Sequence, residues 1–343
     1  IHLPRQGEQN RFWRKVQVPT AKPWRMPRLV AFRDVDSVAG TFADIEVVSV
    51  PKDGYTTDEL IECAAGADAL FVHSENEYGP VVFDALPDLR VVGKPGSGID
   101  NIDVPAATER GIAVTHTPGM NADSVGEFAV GMLVSLLRKL GESEAHLRAG
   151  GWRSPEWWGR ELRGETVGLL GLGASGTATA KRLRPFGPDL VAHDPYVDEA
   201  HAGEIGVELL DLNDLFDRCS VLSIHVRLTD ETRGMVGADE LARLGTDGVL
   251  LNTARAAVVE RNALHDALQA GDLAGAAVDV FHDEPPRPDD PVFSFENVLA
   301  TPHLAGAGRH TRVEMLETTA DSVARILAND PVTKRLVANP ETL

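Results

Sequence analysis

The chain has 343 residues, and 33 Lys and Arg against 52 Asp and Glu give a formal net charge of −19. That length suits two domains, and 43% apolar with 25% charged residues is the balance of a globular protein with a core. So acidic a chain has no general attraction for phosphate backbones, no apolar run reaches the ~18 residues of a membrane span, and two cysteines make neither a disulfide framework nor a metal site. Nucleic acid, membrane and metal are therefore not expected, and Cys63 and Cys219 fit a reducing, cytoplasmic setting.

Residues 1–25 are basic, polar and punctuated by proline, with no sustained period and no apolar run of a secretory signal. We expect a poorly structured tail there and a domain that starts near Met26; the alternative is an arm packed on the body or on a partner subunit. Short apolar runs follow at 28–32, 46–51, 68–72, 89–93 and 112–116, with helix-like segments such as 57–65 and 104–110 between them. One long amphipathic pattern then occupies 123–147, with Ser124 as a candidate N-cap and Glu127 three residues on, as in a capping box. Trp152, Trp157 and Trp158 follow in a loop.

A second series has strand-like runs at 166–170, 189–193, 221–226, 248–253, 276–281 and 297–301. Helical runs at 177–183, 239–244 and 261–270 separate them, and a last helix spans about 311–327. Strand and helix in alternation predict parallel sheets with helices on their faces. The reading is an α/β protein of two doubly wound parallel-sheet domains. Residues 26–122 and 305–343 form one, 123–304 the other, and the last helix returns to the first.

Gly171-Leu172-Gly173-Ala174-Ser175-Gly176 stands directly after a strand and opens a helix. The first glycine allows the tight turn, the second lets a pyrophosphate approach the backbone, and the third lets helix and strand pack. The helix start then offers unpaired N–H groups and partial positive charge to phosphates. The next strand ends in Asp194, where a carboxylate would accept from the ribose hydroxyls of a dinucleotide and repel a 2′-phosphate. NAD is the expected cofactor, with NADP as the alternative.

Three later strands end in polar residues: 249–254 at Arg255, 276–281 ahead of Glu284, and 298–302 at His303. Open parallel sheets bind ligands beyond the carboxyl ends of their strands. Reduction of a ketone needs a proton donor, and histidine titrates in the useful range. A neighbouring carboxylate orients the ring and favours its charged form, while arginine offers a planar donor set to a carboxylate substrate. Arg255, Glu284 and His303 are therefore the candidate catalytic set.

With these motifs in order, the chain resembles the D-isomer-specific 2-hydroxyacid dehydrogenase family over roughly residues 28–330. The resemblance rests on Gly96-Ser97-Gly98-Ile99-Asp100-Asn101-Ile102-Asp103, the glycine turn with Asp194-Pro195-Tyr196, and Ser223-Ile224-His225. It rests equally on Leu251 to Arg255, Val278-Asp279-Val280-Phe281 with Glu284-Pro285, and Thr301-Pro302-His303. It implies a flavodoxin-like substrate domain and a Rossmann NAD-binding domain that close over the substrate. It implies His303 as proton donor, Asp279 on the nicotinamide amide, and Thr253 and Ala254 beside the cofactor. Gly171, Gly173, Ala174, Ser175, Gly176, Asp194 and His225 complete the cofactor candidates. Ser97 and Gly98 would offer backbone N–H groups to the substrate carboxylate, which Arg255 also binds. A homodimer built in part by the long helix is implied as well.

Departures from the family pattern are local. Ala174-Ser175 stands where many members have an Arg-Ile pair, and Val226-Arg227-Leu228-Thr229 where many have x-Pro-Leu-Thr. Arg227 reads as solvent-facing, with charge near the adenosine phosphates as its alternative. Glu284 is not the glutamine of formate dehydrogenases, and a chain ending at Leu343 is expected to carry no appended regulatory domain. His73-Ser74-Glu75-Asn76-Glu77 should face the cleft, with His73 a substrate contact and the two acids turned away or binding hydroxyls. Lys94 reads as neutralising a carboxylate or phosphate, or as a solvated lysine. The remaining histidines, His116 among them, show no metal-ligand spacing and read as structural or exposed. The expected activity is interconversion of a small 2-oxo acid and its D-2-hydroxy acid, whether general or specific for phosphoglycerate, hydroxypyruvate or glyoxylate. A dinucleotide-sensing binding protein resembling corepressors of this fold is the competing reading.

Overall fold

The computed structural model describes residues 25–33, 35–50 and 55–343. The tail expected at 1–25 thus lies, Arg25 apart, outside the described residues. Arg25 itself forms a two-pronged ion pair with Asp68, at 2.7 and 2.9 Å.

The first sheet is built from β1 (Arg28–Ala31), β2 (Glu46–Ser49), β3 (Ala69–Phe71), β4 (Val91–Gly93) and β5 (Ala113–Thr115). All pairs are parallel and the order is β2-β1-β3-β4-β5, the flavodoxin-like arrangement. Every residue of β3 and β4 is buried, as a parallel sheet covered on both faces requires. Helices α1 (Thr57–Ala64), α2 (Pro80–Ala85) and α3 (Val104–Glu109) cover one face. A reciprocal cap starts α1: Thr56 Oγ1 accepts from Glu59 N–H, and the Glu59 carboxylate accepts from Thr56 N–H.

Two helices rather than one follow β5. They are α4 (Ala122–Leu137) and α5 (Leu140–Arg148), parted where Lys139 takes a left-handed φ of 51°. Asn121 precedes α4 without a side-chain cap, and Ser124 lies inside the helix. Its hydroxyl instead meets Thr311 Oγ1 at 2.8 Å, a long-range partner that outbids the local cap. The second sheet then comprises β6 (Thr166–Leu170), β7 (Asp189–His193), β8 (Glu208–Leu209), β9 (Val221–Ile224), β10 (Val249–Asn252), β11 (Gly275–Val278) and β12 (Val298–Ala300). Its order is β12-β11-β10-β9-β6-β7-β8, again wholly parallel, the Rossmann order with one added strand. Helices α6 (Ala174–Leu183), α7 (Glu199–Glu204), α8 (Leu212–Arg218), α9 (Ala238–Leu244) and α10 (Arg261–Ala270) pack on its two faces together with α4.

The last helix, α11 (Arg309–Ala328), crosses back to the open face of the first sheet. Leu316, Ala320 and Val323 are buried there against Leu29, Phe71 and Val91. Asn339 fastens the segment beyond it: its amide accepts from Val114 N–H and donates to Ile112 O and Thr108 Oγ1. Among the described residues no helix is long and apolar enough to cross a membrane.

Candidate active site

The order of the second sheet reverses between β6 and β9, and the glycine turn sits at that switch point. Gly171 has φ +97°, and a Cβ there would lie 2.9 Å from the His225 carbonyl carbon and the Val226 nitrogen. A Cβ on Gly176 would collide with the Gly171 carbonyl. At Gly173 an added Cβ would meet nothing within 4 Å, so this glycine leaves an open cradle that the protein's own packing does not need. Ala174, Ser175 and Gly176 carry the first N–H groups of α6 beside it, the orphan donors of any helix start.

Asp194 is fixed at the rim of this cradle. One carboxylate oxygen accepts Leu172 N–H at 2.8 Å and the other accepts Tyr196 N–H at 2.9 Å. Lone pairs remain on both oxygens for further donors. His225 is buried, its Nε2 lies 2.8 Å from Ser223 Oγ, and burial pushes its pKa down to about 4, so the ring is neutral. Thr253 Oγ1 is buried without a hydrogen-bond partner among the described residues. An open cradle, an oriented carboxylate and an orphaned hydroxyl in one crevice fit a dinucleotide. Arg227 is exposed at the same end, and its charge lowers the pKa of His116 after burial has done so first.

The next three strand ends carry the polar set. His303 has a left-handed φ of 52°, and its N–H donates to Asp279 O at 2.8 Å. Its Nδ1 lies 2.7 Å from Glu284 Oε2. Burial raises the Glu284 pKa, but the hydrogen bonds from His303 and from Phe281 N–H outweigh it and leave the group below the usual carboxylate range. Arg255 contributes to that lowering by its charge, so all three groups share one neighbourhood. The ring and carboxylate are each about one third exposed, facing the crevice.

Beneath them lies a buried polar base. Asp279 is wholly buried; Oδ1 accepts Thr301 Oγ1 and Leu304 N–H, and Oδ2 accepts Ala305 N–H, at 2.6 to 2.8 Å. These bonds hold the loop that presents His303. The expected contact with a nicotinamide amide has only the one acceptor position left on Oδ2. Asn252 plays the same part for Arg255: its amide accepts Ala254 N–H and donates to the Arg255 carbonyl, at 3.0 and 2.9 Å.

The facing wall belongs to the first sheet. Asp100 accepts from Arg255 Nε at 3.1 Å and Nη2 at 2.8 Å, and Arg255 Nη1 donates to Ala254 O at 2.8 Å. A guanidinium has five N–H groups, so one remains on each terminal nitrogen, a fork suited to a carboxylate. Burial raises the Asp100 pKa, but the bonds and charge of Arg255 dominate and lower it. Gly98 allows the approach, since a Cβ there would collide with Arg255 Nη2. The N–H groups of Ser97 and Gly98 donate to no acceptor among the described residues. The Ser97 hydroxyl is engaged with Thr117 O and Asn121 Oδ1. Lys94 is buried with Nζ on Asn101 Oδ1, and His73 Nδ1 accepts Glu75 N–H at 3.0 Å.

In the sequence Asp100 stands in a quoted motif without a role, and His116 reads as structural or exposed. His116 Nδ1 lies 3.2 Å from the Ser97 carbonyl, at the site rather than apart from it. Among the described residues no group of three or more His, Cys, Asp or Glu is placed to hold a metal ion.

Residues 130–305 match the family described as D-isomer specific 2-hydroxyacid dehydrogenase, NAD binding domain. The chain belongs to this family. It is 35% identical over 281 residues to a D-3-phosphoglycerate dehydrogenase of Archaeoglobus fulgidus, covering 82% of this chain and 53% of that one. The chain thus spans about half the length of the phosphoglycerate dehydrogenases it matches. A glyoxylate reductase of Korarchaeum cryptofilum is 38% identical over 269 residues, covering 77% of this chain and 81% of its own. Among solved structures, the NADPH-dependent glyoxylate/hydroxypyruvate reductase of Sinorhizobium meliloti, in complex with NADP and malonate, aligns with TM-score 0.77 and 32% identity. That alignment covers 91% of this chain and 98% of the other. Membership in the dehydrogenase family accounts for the glycine turn, the strand order and the ordered polar strand ends together.

Proposed function

We propose that this chain is an NAD(P)-dependent oxidoreductase that interconverts a small 2-oxo acid and its D-2-hydroxy acid. The observation that carries the reading is the 2.7 Å contact of His303 Nδ1 with Glu284, beside Arg255 and above one crevice. Glu284 accepts at Nδ1 and so turns Nε2 toward the crevice as the proton donor, and as the base in the reverse direction. Bound in the Gly173 cradle, a nicotinamide dinucleotide supplies the hydride chemistry. Arg255 offers its two remaining N–H groups to the substrate carboxylate, and the Ser97 and Gly98 N–H groups add to that cradle. Closure of the two walls excludes water and strengthens each of these interactions.

The test follows NADH and NADPH oxidation with glyoxylate, hydroxypyruvate, pyruvate and bulkier 2-oxo acids. Turnover with at least one acid, lost in His303→Ala while NADH still binds, is the expected result. Binding of NADH without turnover of any acid would instead favour a dinucleotide-sensing binding protein.

We also infer a homodimer, supported by Leu140, Leu147, Trp152 and Trp158, which stand exposed around α5 and the loop after it. Light scattering on the wild type and on Leu147→Glu tests this: a dimer that becomes a monomer is expected, and a wild-type monomer rejects it. A reducing cytoplasmic setting goes with the same reading, since Cys63 and Cys219 are unpaired.

A further inference from the structure

The carboxyl ends of the second sheet set an order along the floor of the crevice. With β9, β6 and β7 as neighbours, the glycine turn after β6 has the segment after β9 on one side and Asp194, after β7, on the other. Strand β10, which leads to Arg255, lies beyond β9. Arg227 follows Ile224, the last residue of β9, by three positions. It therefore stands between the glycine turn and the catalytic set, on the side of the turn away from Asp194. A dinucleotide laid across such strand ends puts its pyrophosphate on the turn and the helix start, between adenosine ribose and nicotinamide.

Packing holds Arg227 against that turn. A Cβ on Gly171 would lie 2.9 Å from Val226 N and 3.0 Å from Val226 Cγ1, so the residue before Arg227 abuts the turn. The backbone is pinned as well: Thr232 Oγ1 donates to the Arg227 carbonyl at 2.6 Å and accepts Thr229 N–H at 2.8 Å. From the facing domain, the crossing that leads to α4 closes on the same place, since a Cβ on Gly119 would lie 3.4 Å from Ala174 Cβ. His116 belongs to that crossing, and the Arg227 charge acts on its ring. The guanidinium thus faces the gap between the crossing and the start of α6.

Nothing in the protein engages this guanidinium. It has no hydrogen-bond or ion-pair partner among the described residues, and Asp230 and Glu231 of the same turn form no ion pair with it. The helix start brings no cation of its own. Ala174 and Ser175 open α6, Lys181 and Arg182 lie in its last turn, and Arg182 is held by Asp123 at 3.0 Å. Burial lowers the His116 pKa against the opposing bond to the Ser97 carbonyl, and Arg227 and Lys94 lower it further, so that ring adds no charge. In a chain of net charge −19, Arg227 is the side-chain cation that this end of the crevice offers to an anion. Its planar donors match phosphate oxygens.

Resting on the dinucleotide reading above, we propose that Arg227 grips the pyrophosphate of the cofactor from the β9 side of the glycine turn, opposite Asp194. The test measures Kd for NADH and NADPH by fluorescence, without substrate, in the wild type, Arg227→Gln and Arg227→Lys. Arg227→Gln should weaken NADH about 10–100-fold, the worth of hydrogen bonds between charged groups. NADPH should weaken by the same factor, because the 2′-phosphate lies on the Asp194 side of the turn. Arg227→Lys should recover part of the loss, since the charge returns without the planar fork. Added salt should weaken NADH binding in the wild type more than in Arg227→Gln. An unchanged Kd in Arg227→Gln, or the same salt dependence in both proteins, overturns the proposal. A loss confined to NADPH assigns Arg227 to the 2′-phosphate and overturns it too. Should Arg227→Gln fail to fold, Arg227→Lys takes its place, and NADH binding as tight as in the wild type with a flat salt dependence rejects the grip. A wild type that binds neither dinucleotide sinks the oxidoreductase reading itself, so the two failures are distinguishable.

Discussion

On the cofactor side of the crevice, His303 and Glu284 stand out from a base of buried polar bonds at Asp279 and Asn252. On the facing side the pattern is inverted: the cation Lys94 is buried, while Glu75 and Glu77 are exposed. The first arrangement fixes the His303 and Arg255 loops by giving acceptors to Thr301, Leu304, Ala305 and Ala254. The second sets a local field and leaves its outer surface adjustable. The two walls meet in the bond set between Arg255 and Asp100.

The largest effects should come from breaking the rigid wall. His303→Ala should lower kcat about 10²–10⁴-fold with dinucleotide binding retained, measured by single-turnover kinetics and NADH fluorescence. A loss smaller than tenfold would remove His303 from the chemistry. Asp279→Ala strips Thr301, Leu304 and Ala305 of their acceptor. Stranding buried donors costs about 1–3 kcal/mol each, so urea unfolding should show a loss of at least about 3 kcal/mol with the His303 loop exchanging its amides faster. Unchanged stability would mean that the base does not hold the loop.

Acid should act on the same wall. The His225 ring is neutral in the native state, with its pKa pushed by burial from 6.5 to about 4. An unfolded chain takes up that proton at 6.5, so the stability is present above 6.5 and falls as pH drops toward 4. At about 1.4 kcal/mol per unit the loss is on the order of 3 kcal/mol, and His225→Gln should flatten it. Identical pH slopes in the two proteins would place the acid sensitivity elsewhere.

At the seam, Asp100→Asn removes the charge that aims Arg255 while keeping its size. Hydrogen bonds to charged groups are worth about 1.5–3 kcal/mol, so kcat/KM should fall roughly 10–100-fold, mainly through KM, and Asp100→Glu should recover part of it. An equal fall in both variants would point to a disturbed backbone rather than an aimed guanidinium.

The contrast between the walls also explains what a reader of the chain can see. The strands at 166–170 and 189–193 stand where apolar runs predict them, because burial on both faces leaves a continuous local signature. Arg255, Glu284 and His303 are visible as polar residues that end such runs. Asp100 is 155 positions from the guanidinium it holds, and no periodicity encodes that distance. The burial of Lys94 depends on Asn101 and the loop behind it, which only tertiary contact brings together. The break at Lys139 is a backbone angle in an otherwise helical pattern, and the short β8 and α7 have too few residues to form one.

The smallest expected effect sharpens the charged wall. Burial, its largest cause, lowers the Lys94 pKa to about 8, with Asp100 partly restoring it. Below pH 8 the ammonium balances Asp100 and Glu77; above it the proton leaves and the wall becomes more negative toward an anionic substrate. KM for the 2-oxo acid should therefore rise about threefold between pH 7 and 9. Lys94→Met should carry the higher KM already at pH 7 and lose the step. A step that persists in Lys94→Met would assign it to another group. A flat wild-type profile would mean that the buried ammonium keeps its proton past pH 9, held by Asp100 and Glu77.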